Sequence, residues 1–196
     1  MEFDFKKATQ AVNYIARKST TQKVDKLKLM KLIWLADRFH LRKYGRPVIG
    51  DIYWAMRLGP VPGAVKDIVD SSGFPSIEKQ YSEQYIKKVD DNTIGSIAES
   101  DLRVFSETDI EALEFSLKHF GNRQPGGLVN LSHKYPEWKK FELSLKSGQV
   151  SRELMDYGDF FEDPADLPHD LFEQDKGLLE DTKEIFLKNS EACNHL

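Results

Sequence analysis

Asp25-Lys26-Leu27-Lys28-Leu29-Met30-Lys31-Leu32-Ile33-Trp34-Leu35-Ala36-Asp37-Arg38-Phe39-His40-Leu41-Arg42-Lys43 is the stretch on which the fold turns. Gly45 and Pro47 close it, so the sequence predicts one helix over about 25–43. On a helical plot Leu27, Leu29, Met30, Leu32, Ile33, Trp34, Ala36, Phe39 and Leu41 surround most of its circumference. A helix that is apolar nearly all round belongs at the centre of a domain. Lys28, Lys31, Arg38 and Arg42 fall in one arc about 80° wide, which we expect to stay exposed as a basic stripe.

Upstream, Phe5, Ala8, Val12 and Ile15 recur near helical spacing behind a capping Asp4, giving a first helix from Asp4 to Ala16. Downstream, from Val48 to Gly59, Ile52, Trp54 and Met56 alternate with Tyr53, Ala55 and Arg57, the period of a strand. Gly59-Pro60-Val61-Pro62-Gly63 reads as a rigid turn, with Gly63 capping a short helix over 63–70. Tyr85–Val89 and Thr93–Ala98 flank Asp90-Asp91-Asn92 as a hairpin that would add two strands to the first. Ser106 and Asp109 form a capping box before a long helix that ends at Gly121, and Pro125–His133 and Pro136–Leu145 each open with a proline suited to a first helical turn. A last helix is expected over about 175–188. The class predicted is α+β and predominantly α-helical, with six or seven helices around the 25–43 helix and a small antiparallel sheet of about three strands.

The net charge of −4 hides a polarity. Residues 1–67 hold 14 Lys and Arg against 6 Asp and Glu, whereas residues 149–196 hold 4 against 13. From Glu153 to Asp175 there are nine acids and no Lys or Arg, interspersed with Tyr157, Phe160, Phe161, Leu167, Leu171 and Phe172. An acidic segment with this apolar content is expected to dock on something, and a basic surface is its natural counterpart. We therefore expect a domain over 1–148 and an acidic C-terminal extension over 149–196, ending in a helix and packed on the domain. The apolar stretch at Leu29–Ala36 is far shorter than the roughly 20 residues of a bilayer span, and Met1-Glu2-Phe3-Asp4 does not open a secretory signal. A cytoplasmic protein without membrane contact is expected. The single cysteine, Cys193, rules out an internal disulfide.

Asp37 and His40, three apart on the central helix, are the candidate acid–base set. Without a nucleophile or metal-ligand motif beside them they read as a structural polar pair, bonded to each other or to an arginine such as Arg17 or Arg57. His119, His133, His169 and His195 show no HxH or HExxH spacing, and Gly126-Gly127 lacks the framework of a phosphate loop, so neither metal nor cofactor is indicated. The basic arc suits phosphates, which makes a nucleic-acid-binding regulator the alternative to a protein-binding module. Tyr53, Trp54 and Arg57 are residue types enriched at interface hot spots and sit beside Gly59 and Pro60. With Arg38 and Arg42 they form the candidate partner-binding set.

Leu29 through Pro47, then Gly50-Asp51, Ala55-Met56 and Gly59-Pro60-Val61-Pro62, resemble the signature of the Panacea (SocA-like) antitoxin family, and Leu131-Ser132-His133 with Trp138 resembles its closing helical motif. The resemblance spans about residues 26–140. One departure is Gly63, where the family tends to place serine. The resemblance implies a small, mostly helical antitoxin domain without catalysis, which binds and neutralises an unrelated toxin encoded by the neighbouring gene. One family member instead works as a proteolytic adaptor delivering its toxin to a cellular protease, and relatives occur in phages. Many of the family's toxins act on RNA or translation. Some members carry an extra DNA-binding domain, for which this chain has no room outside the matched region except its acidic C-terminal part, so autonomous promoter binding and a nucleic-acid partner are not expected.

Overall fold

The computed structural model describes residues 3–165, 167 and 171–194. Along the chain run α1 (Phe5–Lys18), β1 (Lys23–Asp25), α2 (Lys26–Tyr44), β2 (Tyr53–Met56), β3 (Gly59–Pro62), α3 (Gly63–Asp70), α4 (Ser76–Ser82), β4 (Ile86–Asp90), β5 (Thr93–Ser96), α5 (Glu107–Phe120), α6 (Pro125–Ser132), α7 (Pro136–Lys139), α8 (Glu142–Ser147), β6 (Arg152–Leu154) and α9 (Lys176–Asn194). The class is α+β and predominantly helical. Among the described residues there are nine α-helices and two three-stranded antiparallel sheets.

Local chemistry sets the helix ends. Asp4 and Asp25 accept the Lys7 and Lys28 N–H groups at the starts of α1 and α2, and Ser106 and Asp109 cap each other's backbone at the start of α5. Gly45 ends α2 with φ 69°. Leu29, Leu32, Ile33, Trp34, Leu35 and Leu41 of α2 are fully enclosed, and α1, α5, α6, α9 and β3 pack around that helix.

The sheets divide the expected strands differently. The hairpin β4–β5 pairs with β1, through Val24 opposite Ile94, and not with β2. The strand β2 pairs instead with β3 and β6. The Gly59–Pro62 segment, expected as a turn, is thus an edge strand. Its prolines fit there because an edge strand has one row of backbone groups outside the ladder. Gly63 does not cap α3. The Asp51 carboxylate does so from across the chain, accepting Ala64 N–H at 2.9 Å and Val65 N–H at 2.8 Å. The extra helices are α4, and the break at Lys140-Phe141 that splits the expected 136–145 helix into α7 and α8.

After Gly148 the chain crosses β2 as β6, makes a tight helical turn over Tyr157–Phe161 and runs on to α9. Phe160, Phe161, Phe172 and Phe186 enter the core, while Glu162 and Asp163 stay in solvent. The aromatic residues of the acidic segment are therefore its anchor.

Candidate functional site

Five polar residues of α2, Lys31, Asp37, Arg38, His40 and Arg42, are built into the core. Asp37 is fully enclosed and accepts three hydrogen bonds, from Val48 N–H (2.8 Å), Ile49 N–H (3.1 Å) and Tyr53 Oη (3.0 Å). It thereby ties the loop after α2, and β2, back onto the helix. Burial pushes its pKa up to about 7, against the pull of its three donors. His40 does not touch Asp37. Its Nδ1 donates to the Arg46 carbonyl at 2.6 Å, and its Nε2 accepts from Thr108 Oγ1 at 2.9 Å. That pairing requires the neutral ring, and burial holds the His40 pKa down to about 4. The expected Asp37–His40 pair is thus two separate structural hubs. Neither has Arg17 or Arg57 as a partner: Arg17 pairs with Glu99. Both side chains are enclosed.

The basic arc is not a stripe in solvent. Lys31, Arg38 and Arg42 are all fully buried, and Lys28 is half-buried at the rim. Arg38 Nη1 lies 2.8 Å from both carboxylate oxygens of Glu137, its Nη2 donates to the Glu162 carbonyl at 2.7 Å, and its guanidinium stacks over Tyr135 at 4.4 Å. Arg42 donates to the carbonyls of Phe160, Phe161 and Phe172 and pairs with Asp163 at 2.5 Å. Lys31 Nζ donates to the Pro60 carbonyl at 2.6 Å, and burial lowers its pKa to about 7. The physical reason is shared: irregular backbone covers this face of α2, and long cationic side chains supply the donors its carbonyls need.

Gly59 and Pro60 are also buried, at the junction of the β2–β3 hairpin with α2 and α6. Gly59 has φ 97°, and a Cβ there would lie 2.3 Å from Ser132 Oγ and 2.9 Å from Lys31 Cε. Trp138, fully enclosed, donates its indole N–H to the Met56 carbonyl at 2.8 Å and stacks on His133 at 3.6 Å. Burial lowers the pKa of His133 to about 4.

Of the candidate partner-binding residues, Tyr53, Arg38, Arg42, Gly59 and Pro60 are therefore interior, whereas Trp54 is half-buried and Arg57 exposed. Trp54 stands on the outer face of the β3-β2-β6 sheet, directly opposite Val61 and Leu154. Arg152 lies over its ring at 4.3 Å. Two grooves open elsewhere, of about 870 Å³ beside Phe3, Phe74 and Tyr81 and about 790 Å³ beside Lys18, Lys28 and Leu117. Neither includes Asp37 or His40. Among the described residues no group of three His, Cys, Asp or Glu is placed to hold a metal, and His169 and His195 lie outside them. No described helix is long and apolar enough to cross a membrane.

A family model described as antitoxin SocA-like, Panacea domain, matches residues 29–139, more than half of the chain. The chain belongs to the SocA-like Panacea family. No curated protein and no solved structure matches it. In this Panacea protein the matched segment runs from Leu29 in α2 to Lys139 at the end of α7, and so includes both members of the buried Arg38–Glu137 pair. Three acids are hubs beyond what the sequence reading gives them: Asp109 reads there only as a helix cap, Asp51 only as part of the family signature, and Glu137 not at all. Asp109 pairs with Lys7 at 2.7 Å and Arg46 at 2.9 Å. For Glu137 a signal existed, since it is the lone acid between Phe115 and Phe141.

Proposed function

We propose that this Panacea protein is an antitoxin that silences a protein toxin, the product of a neighbouring gene, by binding it directly. The observation that carries the reading is the family match over residues 29–139. The arrangement of side chains supports binding over chemistry. Lys31, Asp37, Arg38, His40 and Arg42 of α2 are enclosed and occupied as hydrogen-bond partners, which suits a rigid scaffold presenting a surface. The nucleic-acid alternative loses its warrant, because Lys31, Arg38 and Arg42 are engaged inside the protein and do not reach a phosphate backbone.

Co-expression tests the proposal. The product of the adjacent reading frame is induced in a bacterial host with and without this protein, and growth and the abundance of that product are followed. Arrested growth that is restored by this protein is the expected result. A product harmless alone, or one still toxic beside this protein, overturns the reading. Unchanged abundance of a silenced toxin marks direct inhibition, whereas its disappearance marks delivery to a protease.

A further inference from the structure

We infer that the outer face of the β3-β2-β6 sheet grips the toxin, and that the toxin meets it with apolar side chains flanked by carboxylates. This rests on the antitoxin reading and adds to it the place and chemistry of the contact.

Strand alternation divides the sheet into two faces. Tyr53, Ala55, Pro60 and Pro62 point inward and are buried. The opposite face carries the cross-strand row Val61, Trp54 and Leu154, with Met56 beside it. Ile52, just before β2, is 60% exposed, Leu58 at the hairpin tip 53% and Leu154 58%. Apolar side chains this exposed, gathered around a half-buried tryptophan, have the composition of an interface core.

The polar side chains at the centre and tip of this face are donors. The Trp54 indole N–H has no acceptor among the described residues. Arg152, over the Trp54 ring, and Arg57, at the hairpin tip, make no ion pair among the described residues. Two nearby acids are turned away, Glu153 opposite Ala55 in the inward row and Asp51 buried as the cap of α3, and the exposed Asp156 beyond the end of β6 accepts the Gly158 N–H at 2.7 Å. A surface with an apolar centre, a spare N–H and two guanidiniums is complementary to carboxylates around an apolar patch.

The face is also held rigid from behind. Lys31 takes the Pro60 carbonyl, Trp138 takes the Met56 carbonyl, and Tyr53 packs edge-on against Tyr157. A preformed surface loses little conformational freedom on binding.

The test uses the full chain and the product of the adjacent reading frame, with growth rescue and affinity of the purified pair as readouts. The double substitution Arg57→Glu with Arg152→Glu lies at exposed positions, so thermal melting of the isolated variant should match the wild type. It is expected to weaken the complex about tenfold or more and abolish rescue, as is Trp54→Ala. Arg57→Lys with Arg152→Lys should keep most of the affinity. Lys87→Glu with Lys118→Glu, an equal charge change away from this sheet, should leave binding unchanged. The wild-type complex should weaken from roughly 50 to 500 mM salt, more steeply than that of the double-glutamate variant. A folded double-glutamate variant that binds and rescues like the wild type overturns the inference while leaving the antitoxin reading standing. Failure of the wild type itself to bind or rescue defeats both.

Discussion

Arg38 Nη1 lies midway between the two carboxylate oxygens of Glu137, 2.8 Å from each, and neither side chain reaches solvent. The pair joins residues 99 positions apart and fastens the central helix to α7. Trp34 completes it by donating its indole N–H to Glu137 at 3.2 Å. Burial pushes the Glu137 carboxyl up despite the guanidinium, so the pair survives on geometry and hydrogen bonding.

Removing one partner should therefore do more harm than removing both. Glu137→Leu leaves Arg38 charged and enclosed and is expected to cost about 3–5 kcal/mol in urea unfolding. Adding Arg38→Met to that variant removes the stranded charge and should recover a clear part of the loss. A double variant less stable than Glu137→Leu would show that Arg38 stabilises the fold chiefly through Glu162 and the Tyr135 ring.

Arg42 ties the C-terminal segment to α2 through the carbonyls of Phe160, Phe161 and Phe172. Arg42→Met keeps the apolar stem but removes every donor, leaving buried carbonyls unpaired at about 1–3 kcal/mol each at most. The expected outcome is faster proteolytic cleavage between residues 155 and 175, with helical circular dichroism largely kept. Cleavage at the wild-type rate would mean that the buried phenylalanines and the remaining ties, such as Arg38 to the Glu162 carbonyl, hold the segment without Arg42.

Lys31 links stability to pH with a definite sign. Its folded pKa of about 7 lies below the ordinary 10.5, so between these values the unfolded chain binds a proton that the native chain does not. Stability from this group thus rises with pH across that window and is lost as pH falls to 7. Lys31→Met removes the term. The stability of wild type relative to the variant should improve by about 2–3 kcal/mol from pH 7 to pH 9.5, measured by urea unfolding at each pH. A constant difference would mean that Lys31 stays charged inside the protein.

These groups mark where sequence reading succeeded and where it stopped. The central helix and its ends were legible because the determinants are local: the all-round apolar pattern from Leu27 to Leu41, Asp25 before the first turn, Gly45 after the last. The basic arc was legible as an arc but not as interior. Spacing says which residues share a face; it does not say what covers it. Here the cover is Glu137 and the carbonyls of Phe160, Phe161, Glu162 and Phe172, about a hundred positions away and without a mark near Arg38 or Arg42. The strands β1 and β6 have three residues each, too few for alternation to show, and β3 was hidden by the prolines that suit it to an edge. Trp54 and Arg57 were found by residue type, but only the pairing of Trp54 with Val61 and Leu154 gathers them into a surface.

Gly59 offers the sharpest test of how the hairpin is seated. Two constraints coincide there: a backbone φ of 97° and a Cβ position 2.3 Å from Ser132 Oγ. Gly148, with φ 76° and nothing within 4 Å of a Cβ, carries the backbone constraint alone. Gly148→Ala should therefore cost about 1–2 kcal/mol, the price of a left-handed alanine. Gly59→Ala adds the overlap with Ser132 and Lys31 and should cost about 3 kcal/mol or more. Ser132→Gly in the Gly59→Ala background opens the space and should return part of the difference, a coupling that a double-mutant cycle reads directly. Equal losses at Gly59 and Gly148, with no coupling to Ser132, would show that the hairpin shifts to make room and that its seat against α2 and α6 is looser than the geometry indicates.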